Sequence, residues 1–315
     1  EGAYLSYGMV RDKLYDYDGA VKLYTAGLQI YPQNKDYYLQ RGITYTHLEN
    51  SRQALADFDK AIAIDSTFSE AYGNRGLEKM KNKQVDAALE DLNHALTLDQ
   101  SGANFTLMGQ AKMEQKDYQS ALDFYSRALE KEPRSVKAYN LRGMNRAMLK
   151  DTIGMLDDYN VAMMIEPQNS NIYIARSQAH MMLGDSLSAV HDCNIAIEKN
   201  NDNALAYLHR GIAKLALKDA RGTIQDCSKA VELEDNLKQA YVKRGEAYAM
   251  LRNYPAAIAD YNTALNFNSN NRQVYYLRGL SKIGNKEKND GCLDLSKAGE
   301  LGMKEAYDSI KKLCN

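Results

Sequence analysis

The sequence repeats itself with a period of about 34 residues, a length typical of stacked supersecondary units. A tyrosine followed three positions later by an arginine, and then by glycine or serine, begins at Tyr38, Tyr72, Tyr139, Tyr173, Tyr207, Tyr241 and Tyr275. Neighbouring copies lie one period apart, except that one copy is missing between Tyr72 and Tyr139, where Phe105, Met108 and Gly109 stand in its frame. Units of this kind bury their apolar faces only against one another. The chain is therefore predicted to be one array of repeats.

Numbering each repeat from position 1, we predict nine repeats that start at residues 1, 35, 69, 102, 136, 170, 204, 238 and 272. The predicted solenoid covers residues 1–315 as a single domain. The third repeat is shorter than the others, because one residue is missing near Gln100, Ser101 and Gly102. We expect this deletion to change the stacking between repeats three and four.

Each repeat is predicted to be a pair of antiparallel helices. Two runs of about 14 residues carry apolar side chains three and four positions apart, the spacing of one helix face. A glycine at position 8, such as Gly42, accompanies an alanine at position 20, such as Ala54, and we expect the two helices to cross closely there. The chain has only four prolines, three of them just after a second helix, at Pro32, Pro133 and Pro167. The fold class is therefore all-α.

Charge and composition exclude several classes of partner. The 40 Lys and Arg residues balance the 41 Asp and Glu residues, so no basic excess exists to bind nucleic acid. No apolar run approaches the roughly 18 residues of a membrane span. The 23 tyrosines contrast with five phenylalanines and no tryptophan, and most tyrosines stand at repeat positions 4, 11, 17 or 24. The tyrosine excess therefore reflects one packing scheme that recurs in every repeat.

Comparison among the repeats predicts an ion pair between the two helices. Position 7 is arginine and position 23 is aspartate in the same seven repeats, and repeats one and four lack both. The predicted structural ion pairs are Arg41–Asp57, Arg75–Asp91, Arg142–Asp158, Arg176–Asp192, Arg210–Asp226, Arg244–Asp260 and Arg278–Asp294. The alternative is a ladder of arginines that binds an acidic polymer, although an arginine neutralised by a carboxylate is a poor anion site.

This pattern resembles the tetratricopeptide repeat, with tyrosine at position 4 where that family often has tryptophan. The resemblance covers residues 1 to about 305 and looks like the bacterial type. It implies a right-handed superhelix whose first helices line a concave groove. It also implies a C-terminal capping helix, predicted over residues 303–315, and a Cys292–Cys314 disulfide is a hypothesis for that cap.

The resemblance implies that positions 2, 5, 6, 9, 12 and 13 of the first helices face the groove. The clamp that holds chaperone C-terminal carboxylates needs Lys at position 5 and Asn at position 9, and neither occurs in any repeat. The middle of the predicted groove is instead rich in methionine, whose flexible side chain suits an adaptable surface. Candidate partner-binding residues are Met113, Asn140, Met144, Met148, Ile174, Gln178, Met181, Met182, Leu208, Ile212 and Leu215. Packing between neighbouring first helices is the alternative role for the apolar members of this set.

No catalytic or metal-binding pattern is present. Phosphate loops, nucleophile elbows and HExxH motifs are absent from the sequence. Cys193 and Cys227, the cysteines closest to a histidine, both occupy position 24 and are interpreted as core residues. We therefore predict no enzyme, no metal and no cofactor.

The leading functional prediction is a scaffold that binds a protein or peptide segment. One alternative is a module of a larger envelope or regulatory protein, and another is a solenoid that binds a small molecule or polymer. The Glu1 start is compatible with signal-peptide removal, so the bacterial periplasm or cell envelope is the preferred location.

Overall fold

The computed structural model describes residues 2–314 and shows helices with no strand among them. The helices are α1 (Gly2–Lys13), α2 (Tyr17–Ile30), α3 (Lys35–His47), α4 (Ser51–Ile64), α5 (Ser69–Lys81), α6 (Val85–Leu98), α7 (Gly102–Glu114), α8 (Tyr118–Lys131), α9 (Val136–Met148), α10 (Thr152–Ile165), α11 (Ser170–Met182), α12 (Ser186–Lys199), α13 (Ala204–Ala216), α14 (Ala220–Leu233), α15 (Lys238–Met250), α16 (Tyr254–Phe267), α17 (Arg272–Gly284), α18 (Lys288–Glu300) and α19 (Lys304–Leu313). Odd-numbered helices up to α17 are the first helices of the predicted repeats, and the all-α prediction is confirmed.

The turn inside each helix pair uses a left-handed residue at position 15. Its φ is positive in every predicted repeat, for example 61° at Tyr15 and 63° at Lys218, and only Gly184 is a glycine there. The following residue donates its N–H back to the carbonyl of position 11, as Asn50 does to Tyr45 at 2.9 Å. This is the geometry of a Schellman motif, which satisfies the last carbonyl groups of the first helix.

The same turn begins the second helix with a side-chain cap in most repeats. Asp16 Oδ1 accepts a hydrogen bond from Gly19 N at 3.0 Å, and Asp117 accepts one from Ser120 N at 3.2 Å. Asp and Asn are favoured at this position because their side chains satisfy a free N–H of the first turn. A left-handed residue followed by a capping residue thus reverses the chain between antiparallel helices.

In repeats one, two, four, five and eight, the core of the helix pair lies where the position-8 glycine meets the aromatic side chain at position 24. A Cβ atom on Gly42 would lie 2.6 Å from Cε1 of Phe58, which occupies position 24. The predicted close approach is therefore present at Gly42, but its nearest neighbour is the position-24 ring. In repeat five, where Met155 replaces the alanine at position 20, the distance from a Cβ on Gly143 to the Tyr159 ring is wider, at 3.1 Å.

Residues up to Ala162 and from Met163 onward form two compact units, and the boundary falls inside α10. In the first unit, core clusters form around residues such as Tyr24, Phe58 and Leu92. In the second unit they form around residues such as Cys227 and Tyr261. The single solenoid over residues 1–315 stays a prediction, and its end residues Glu1 and Asn315 lie outside the described part.

Helix α7 is buried more completely than the other first helices. Gly102 and every residue from Asn104 to Gly109 are buried, and Leu107 packs with Met80 in one core cluster. A Cβ on Gly73 in α5 would lie 2.6 Å from Leu107 Cδ1, so α5 and α7 touch directly. The one-residue deletion precedes this helix, and the close contact is consistent with the altered stacking expected there.

Helix α19 follows the last predicted pair and packs against α18. Its Ala306 is fully buried, and Ser309 Oγ lies 3.0 Å from the hydroxyl of Tyr276 in α17. None of the described helices has the length and apolar content to cross a bilayer.

Candidate functional site

The seven arginine–aspartate pairs each join the two helices of one repeat. In repeat two, Arg41 Nε and Nη2 donate to the two carboxylate oxygens of Asp57, both at 2.8 Å. The same two-pronged arrangement occurs in Arg75–Asp91, Arg142–Asp158, Arg176–Asp192, Arg210–Asp226, Arg244–Asp260 and Arg278–Asp294. Bidentate geometry of this kind is the strongest form of charged hydrogen bond between side chains.

A third contact of the arginine reaches the preceding repeat. Arg41 Nη1 donates to Thr25 Oγ1 at 3.0 Å, and Arg278 Nη1 donates to Asn262 Oδ1 at 2.7 Å. Corresponding bonds join Arg75 to Asp59, Arg142 to Ser126, Arg210 to Asn194 and Arg244 to Ser228. All these acceptors occupy position 25 of the previous repeat. Sequence reasoning missed this contact, although a polar residue at position 25 in every repeat was a usable signal.

The aspartate also has a second cationic partner in several repeats. Asp91 Oδ2 lies 2.8 Å from Lys79 Nζ, which stands at position 11, four residues after Arg75. Position 11 supplies the same contact through Arg146 to Asp158 at 3.0 Å, Lys214 to Asp226 at 2.8 Å and Lys282 to Asp294 at 2.8 Å. Burial raises the pKa of Asp91, but hydrogen bonds from Arg75 and Lys79 outweigh burial and lower it overall.

These contacts leave little of the arginines for an outside anion. Their side chains are 16–20% exposed, and the aspartates are 1–8% exposed. Hydrogen bonding to Asp57 raises the pKa of Arg41, which keeps the guanidinium charged. The geometry therefore favours a structural role over an arginine ladder that binds an acidic polymer.

The cysteines separate into a linked pair and two buried thiols. Cys292 in α18 and Cys314 after α19 form a disulfide with a Cα–Cα distance of 5.9 Å. Cys193 and Cys227 are free and fully buried, and burial raises their thiol pKa values to about 11 and about 12. Among residues 2–314, no three His, Cys, Asp or Glu side chains are grouped to hold a metal ion.

In the first unit, a concave surface is formed by consecutive first helices. A cavity of about 260 Å³ is lined by residues of α3, α5, α7 and α9. Lys81 and Lys137 lie in its wall beside Glu78, whose carboxylate is 2% exposed, and desolvation lowers the pKa of Lys137. Sequence reasoning did not select these residues, because their types differ from repeat to repeat.

The predicted groove residues of the first unit differ in accessibility. Met144 and Met148 in α9 are 48% and 53% exposed. Met113 is half-buried, and its Sδ accepts a hydrogen bond from the Tyr125 hydroxyl at 3.8 Å. The side-chain oxygen of Asn140 is buried without a partner.

In the second unit, two of the predicted anchors belong to the core. Ile174 is 5% exposed and packs with Ala196 and Ala206, and Leu208 is 2% exposed and packs with Cys227. Both stand at position 5, which faces the neighbouring helix pair, so in this structure they cannot contact a partner. Their place in the predicted groove is corrected accordingly.

The remaining candidates of the second unit are accessible to different degrees. Met182 is 57% exposed, while Met181, Ile212 and Leu215 are half-buried. Gln178 Nε2 lies 2.9 Å from His209 Nε2, and burial lowers the pKa of His209.

A second cavity, of about 470 Å³, lies entirely within this unit. Its walls are formed by Leu215, Glu246, Ala249, Met250, Tyr254, Tyr261, Leu277, Leu280 and Ser281. Most of these side chains belong to α13, α15 and α17, which are first helices. Leu215 is thus the predicted groove residue that the structure places in this cavity.

Comparison with known proteins identifies the repeat. The family model described as tetratricopeptide repeat matches residues 36–68 and 69–101. The chain is 28% identical over 106 residues to small glutamine-rich tetratricopeptide repeat-containing protein 2 of Saccharomyces cerevisiae, covering 34% of this chain and 29% of that protein. It is 33% identical over 79 residues to human serine/threonine-protein phosphatase 5, covering 25% of this chain and 16% of that protein. The chain thus matches less than a third of the length of either relative.

Solved structures show the same fold. A tetratricopeptide repeat protein from Parabacteroides merdae matches with a TM-score of 0.60 and 22% identity, over 78% of this chain and 96% of the other. The Cut9–Hcn1 hetero-tetramer structure of the APC/C matches with a TM-score of 0.62 and 15% identity, over 99% of this chain and 83% of the other. Both curated relatives are eukaryotic proteins, so they do not support the predicted bacterial type.

Proposed function

We infer that this chain, which is a tetratricopeptide-repeat protein, is a scaffold that binds a protein or peptide segment on its first-helix surface. Tetratricopeptide repeats generally mediate interactions between proteins. The observation that carries the proposal is the pair of cavities, each lined mainly by side chains of successive first helices. The cavity of the second unit combines mostly apolar walls with a few polar groups, as binding sites do, whereas polar side chains predominate in the wall of the first.

Exposed methionines on the first helices support the proposal, and one of them, Met250, lines the cavity of the second unit. Met144 and Met148 lie in α9 of the first unit, and Met182 and Met250 lie in α11 and α15 of the second. Each is between 47% and 57% exposed. Methionine side chains adapt their shape to a partner because they are unbranched and polarizable. In each unit the proposed binding mode is apolar anchoring, in which a helical or extended segment lies against the exposed methionines of that unit.

Affinity capture with matched variants tests this scaffold. Met144→Glu combined with Met148→Glu is expected to abolish capture of the partner, because a charge would be buried against an apolar segment. Met164→Glu is the control, since Met164 is 82% exposed and lies on second helix α10. Capture that survives the double variant, with thermal unfolding unchanged, would count against binding at α9.

The absence of the chaperone-tail clamp remains part of the proposal. No repeat has the Lys and Asn pair that the clamp uses, although relatives such as small glutamine-rich tetratricopeptide repeat-containing protein 2 contain the same kind of repeat. Titration with an acidic peptide that has a free C-terminal carboxylate, against the same peptide with an amidated C-terminus, tests this point. We expect neither peptide to bind in preference to the other.

A module of a larger protein is the second candidate. The matched curated relatives are much longer than the region they share with this chain. That region covers 29% of the yeast protein and 16% of the human phosphatase. Mass spectrometry of the protein isolated from its source would test it, because a mass well above 35.4 kDa is then expected.

The disulfide supports a location in an oxidising compartment. Cys292–Cys314 links α18 to the end of α19, and such bonds persist mainly outside the reducing cytosol. We expect an alkylating reagent to leave both cysteines unlabelled in freshly isolated, unreduced protein. Labelling of either thiol before reduction would contradict the proposed compartment.

A further inference from the structure

In two repeats the tyrosine hydroxyl at position 24 finds its partner at position 12 of the same repeat. In repeat one, Tyr24 donates to Asp12 Oδ2 at 2.7 Å. In repeat four, Tyr125 donates to Met113 Sδ at 3.8 Å. In both repeats the position-24 hydroxyl is thus directed at position 12, whose side chain supplies the acceptor.

Repeat eight has the hydroxyl but not the acceptor. Tyr261 at position 24 is fully buried, and Ala249 stands at position 12. The Tyr261 hydroxyl has no hydrogen-bond partner, and no other buried tyrosine oxygen within residues 2–314 shares this condition. A buried, unpaired hydroxyl lowers stability because it gives up hydrogen bonds to water without replacing them.

The space that a longer position-12 side chain would fill is part of the cavity of the second unit. Ala249 and Tyr261 both line that cavity of about 470 Å³. Leu215, Leu277 and Leu280 make the rest of the wall mostly apolar. The buried hydroxyl of Ser281 in the same wall already donates to Leu277 O at 2.9 Å. The site therefore combines a mostly apolar space with one buried hydrogen-bond donor, the Tyr261 hydroxyl, that has no partner.

Charge restricts what the cavity accepts. The Glu246 carboxylate lies in the wall, and its Oε1 accepts a hydrogen bond from Lys243 Nζ at 2.9 Å. Burial, together with the charges of Glu246 and Asp260, raises the pKa of Tyr261, so its hydroxyl stays a neutral donor. A second carboxylate in this space would be repelled by Glu246 and desolvated. The favoured acceptor is therefore uncharged.

We propose that the cavity between α13, α15 and α17 binds a methionine side chain of a peptide partner, with the Tyr261 hydroxyl donating to the thioether sulfur. Methionine meets each requirement, since it is unbranched, apolar, uncharged and a weak acceptor. The chain itself uses the same contact in repeat four, between Tyr125 and Met113. The proposal rests on the scaffold function above and specifies the side chain that one part of the surface selects.

The test uses two blocked tripeptides, acetyl-Ala-Met-Ala-amide and its norleucine counterpart, which keeps the shape but replaces sulfur by CH₂. Binding to the full chain is followed by NMR of a ¹³C-labelled terminal methyl group on each peptide. We expect the methionine peptide to bind about threefold more tightly than the norleucine peptide, as for one weak hydrogen bond. Tyr261→Phe, which removes a single oxygen atom, should abolish this preference.

Filling the cavity from within provides the second variant. Ala249→Met places a position-12 methionine beside Tyr261, as in repeat four, and should reduce peptide binding about tenfold or more by mass action. Ala216→Met is the control, because Ala216 is exposed at the end of α13 and does not line the cavity. Thermal unfolding of each variant is used to check that it remains folded.

Several outcomes overturn the proposal. They are no binding of the methionine peptide to the wild-type chain, equal binding of the two peptides, and undiminished binding to Ala249→Met. Tighter binding of a glutamine tripeptide would also overturn it, since an amide would then be the preferred acceptor. Failure here would leave the scaffold function standing if partner capture is still lost in the Met144 and Met148 variants.

Discussion

Repeat four and the ion-paired repeats use different residues for the same contact between their two helices: apolar side chains in repeat four, and an arginine–aspartate pair in the others. In repeat five, Arg142 and Asp158 occupy positions 7 and 23 and form a bidentate pair. In repeat four, the same positions hold Met108, which is 2% exposed, and Phe124, whose ring centroid lies 6.4 Å from that of Phe105. The helix pair forms in both cases, so the ion pair is not required for helix pairing.

The comparison indicates what the pair contributes. A buried ion pair gains attraction but loses hydration, and well-packed apolar residues of similar size are often equally stabilising. Removing one partner is different, because the remaining charge is then buried without compensation. We therefore expect the stability of a helix pair to change little when both residues are replaced and to fall when only one of them is replaced.

The largest loss of stability is expected for Arg41→Met in repeat two. Asp57 would remain buried without a cation, because position 11 of that repeat is Tyr45. The free energy of unfolding should fall by about 3 kcal/mol, as for other half-broken buried pairs. Urea denaturation, with hydrogen exchange followed in α3 and α4, measures the loss and locates it.

The double variant Arg41→Met/Asp57→Phe converts repeat two to the residues of repeat four. It should recover most of that loss, leaving a deficit of about 1 kcal/mol, since the bond from Arg41 to Thr25 is also gone. If the double variant were as unstable as the single one, apolar replacement would not be equivalent, and repeat four would depend on other contacts.

The sequence predicted the ion pairs because the repeats provided their own comparison. Repeats one and four lack both members, and this joint absence identified Arg41 and Asp57 as partners. It did not predict the contacts of the arginine with position 25 of the preceding repeat, such as Thr25. Several residue types serve as acceptors there, so the position is uniform in chemistry but not in identity.

The groove was predicted less well, for a geometric reason. Helix spacing shows which residues share a face, but the edge of that face can pack against the next helix pair. Ile174 and Leu208 lie on this edge and are buried. Likewise, helix periodicity located the turns but not the left-handed conformation of Lys218, since lysine has no preference for positive φ. The sequence also did not predict that the Tyr261 hydroxyl lacks a hydrogen-bond partner, because this depends on its position beside Ala249 in the folded chain.

A smaller effect is expected where a second cation supports the pair. Lys282 Nζ lies 2.8 Å from Asp294, which also binds Arg278. Lys282→Met should lower the free energy of unfolding by about 1 kcal/mol, because one charged hydrogen bond is lost while the other remains. Lys297→Met is the control, since its pair with Glu300 is largely exposed and should contribute little. Equal effects for the two lysines would show that burial of Asp294 does not matter.

Acid should distinguish ion-paired repeats from apolar ones. The pKa of Asp91 lies below its ordinary value of 3.8, because hydrogen bonds from Arg75 and Lys79 outweigh burial. Its contribution to stability is therefore complete above pH 3.8 and is lost as the pH falls further, through the folded-state pKa. Arg75→Met/Asp91→Phe should show a shallower loss of stability between pH 5 and pH 2 than the wild-type chain, with both values measured by urea denaturation. An unchanged pH slope would mean that other carboxylates dominate acid unfolding.

The smallest effects are expected at position 24, where repeats four and eight differ again. Tyr125→Phe removes a bond to Met113 and should lower the free energy of unfolding by about 0.5 kcal/mol. Tyr261→Phe removes an unpaired hydroxyl, so stability should stay the same or rise slightly, because phenylalanine needs no partner in that space. Thermal unfolding of the two single variants measures the difference. If Tyr261→Phe lowered the free energy of unfolding as much as Tyr125→Phe, the Tyr261 hydroxyl would already have a hydrogen-bond partner in solution. The cavity beside Ala249 would then have less reason to select an acceptor from a peptide.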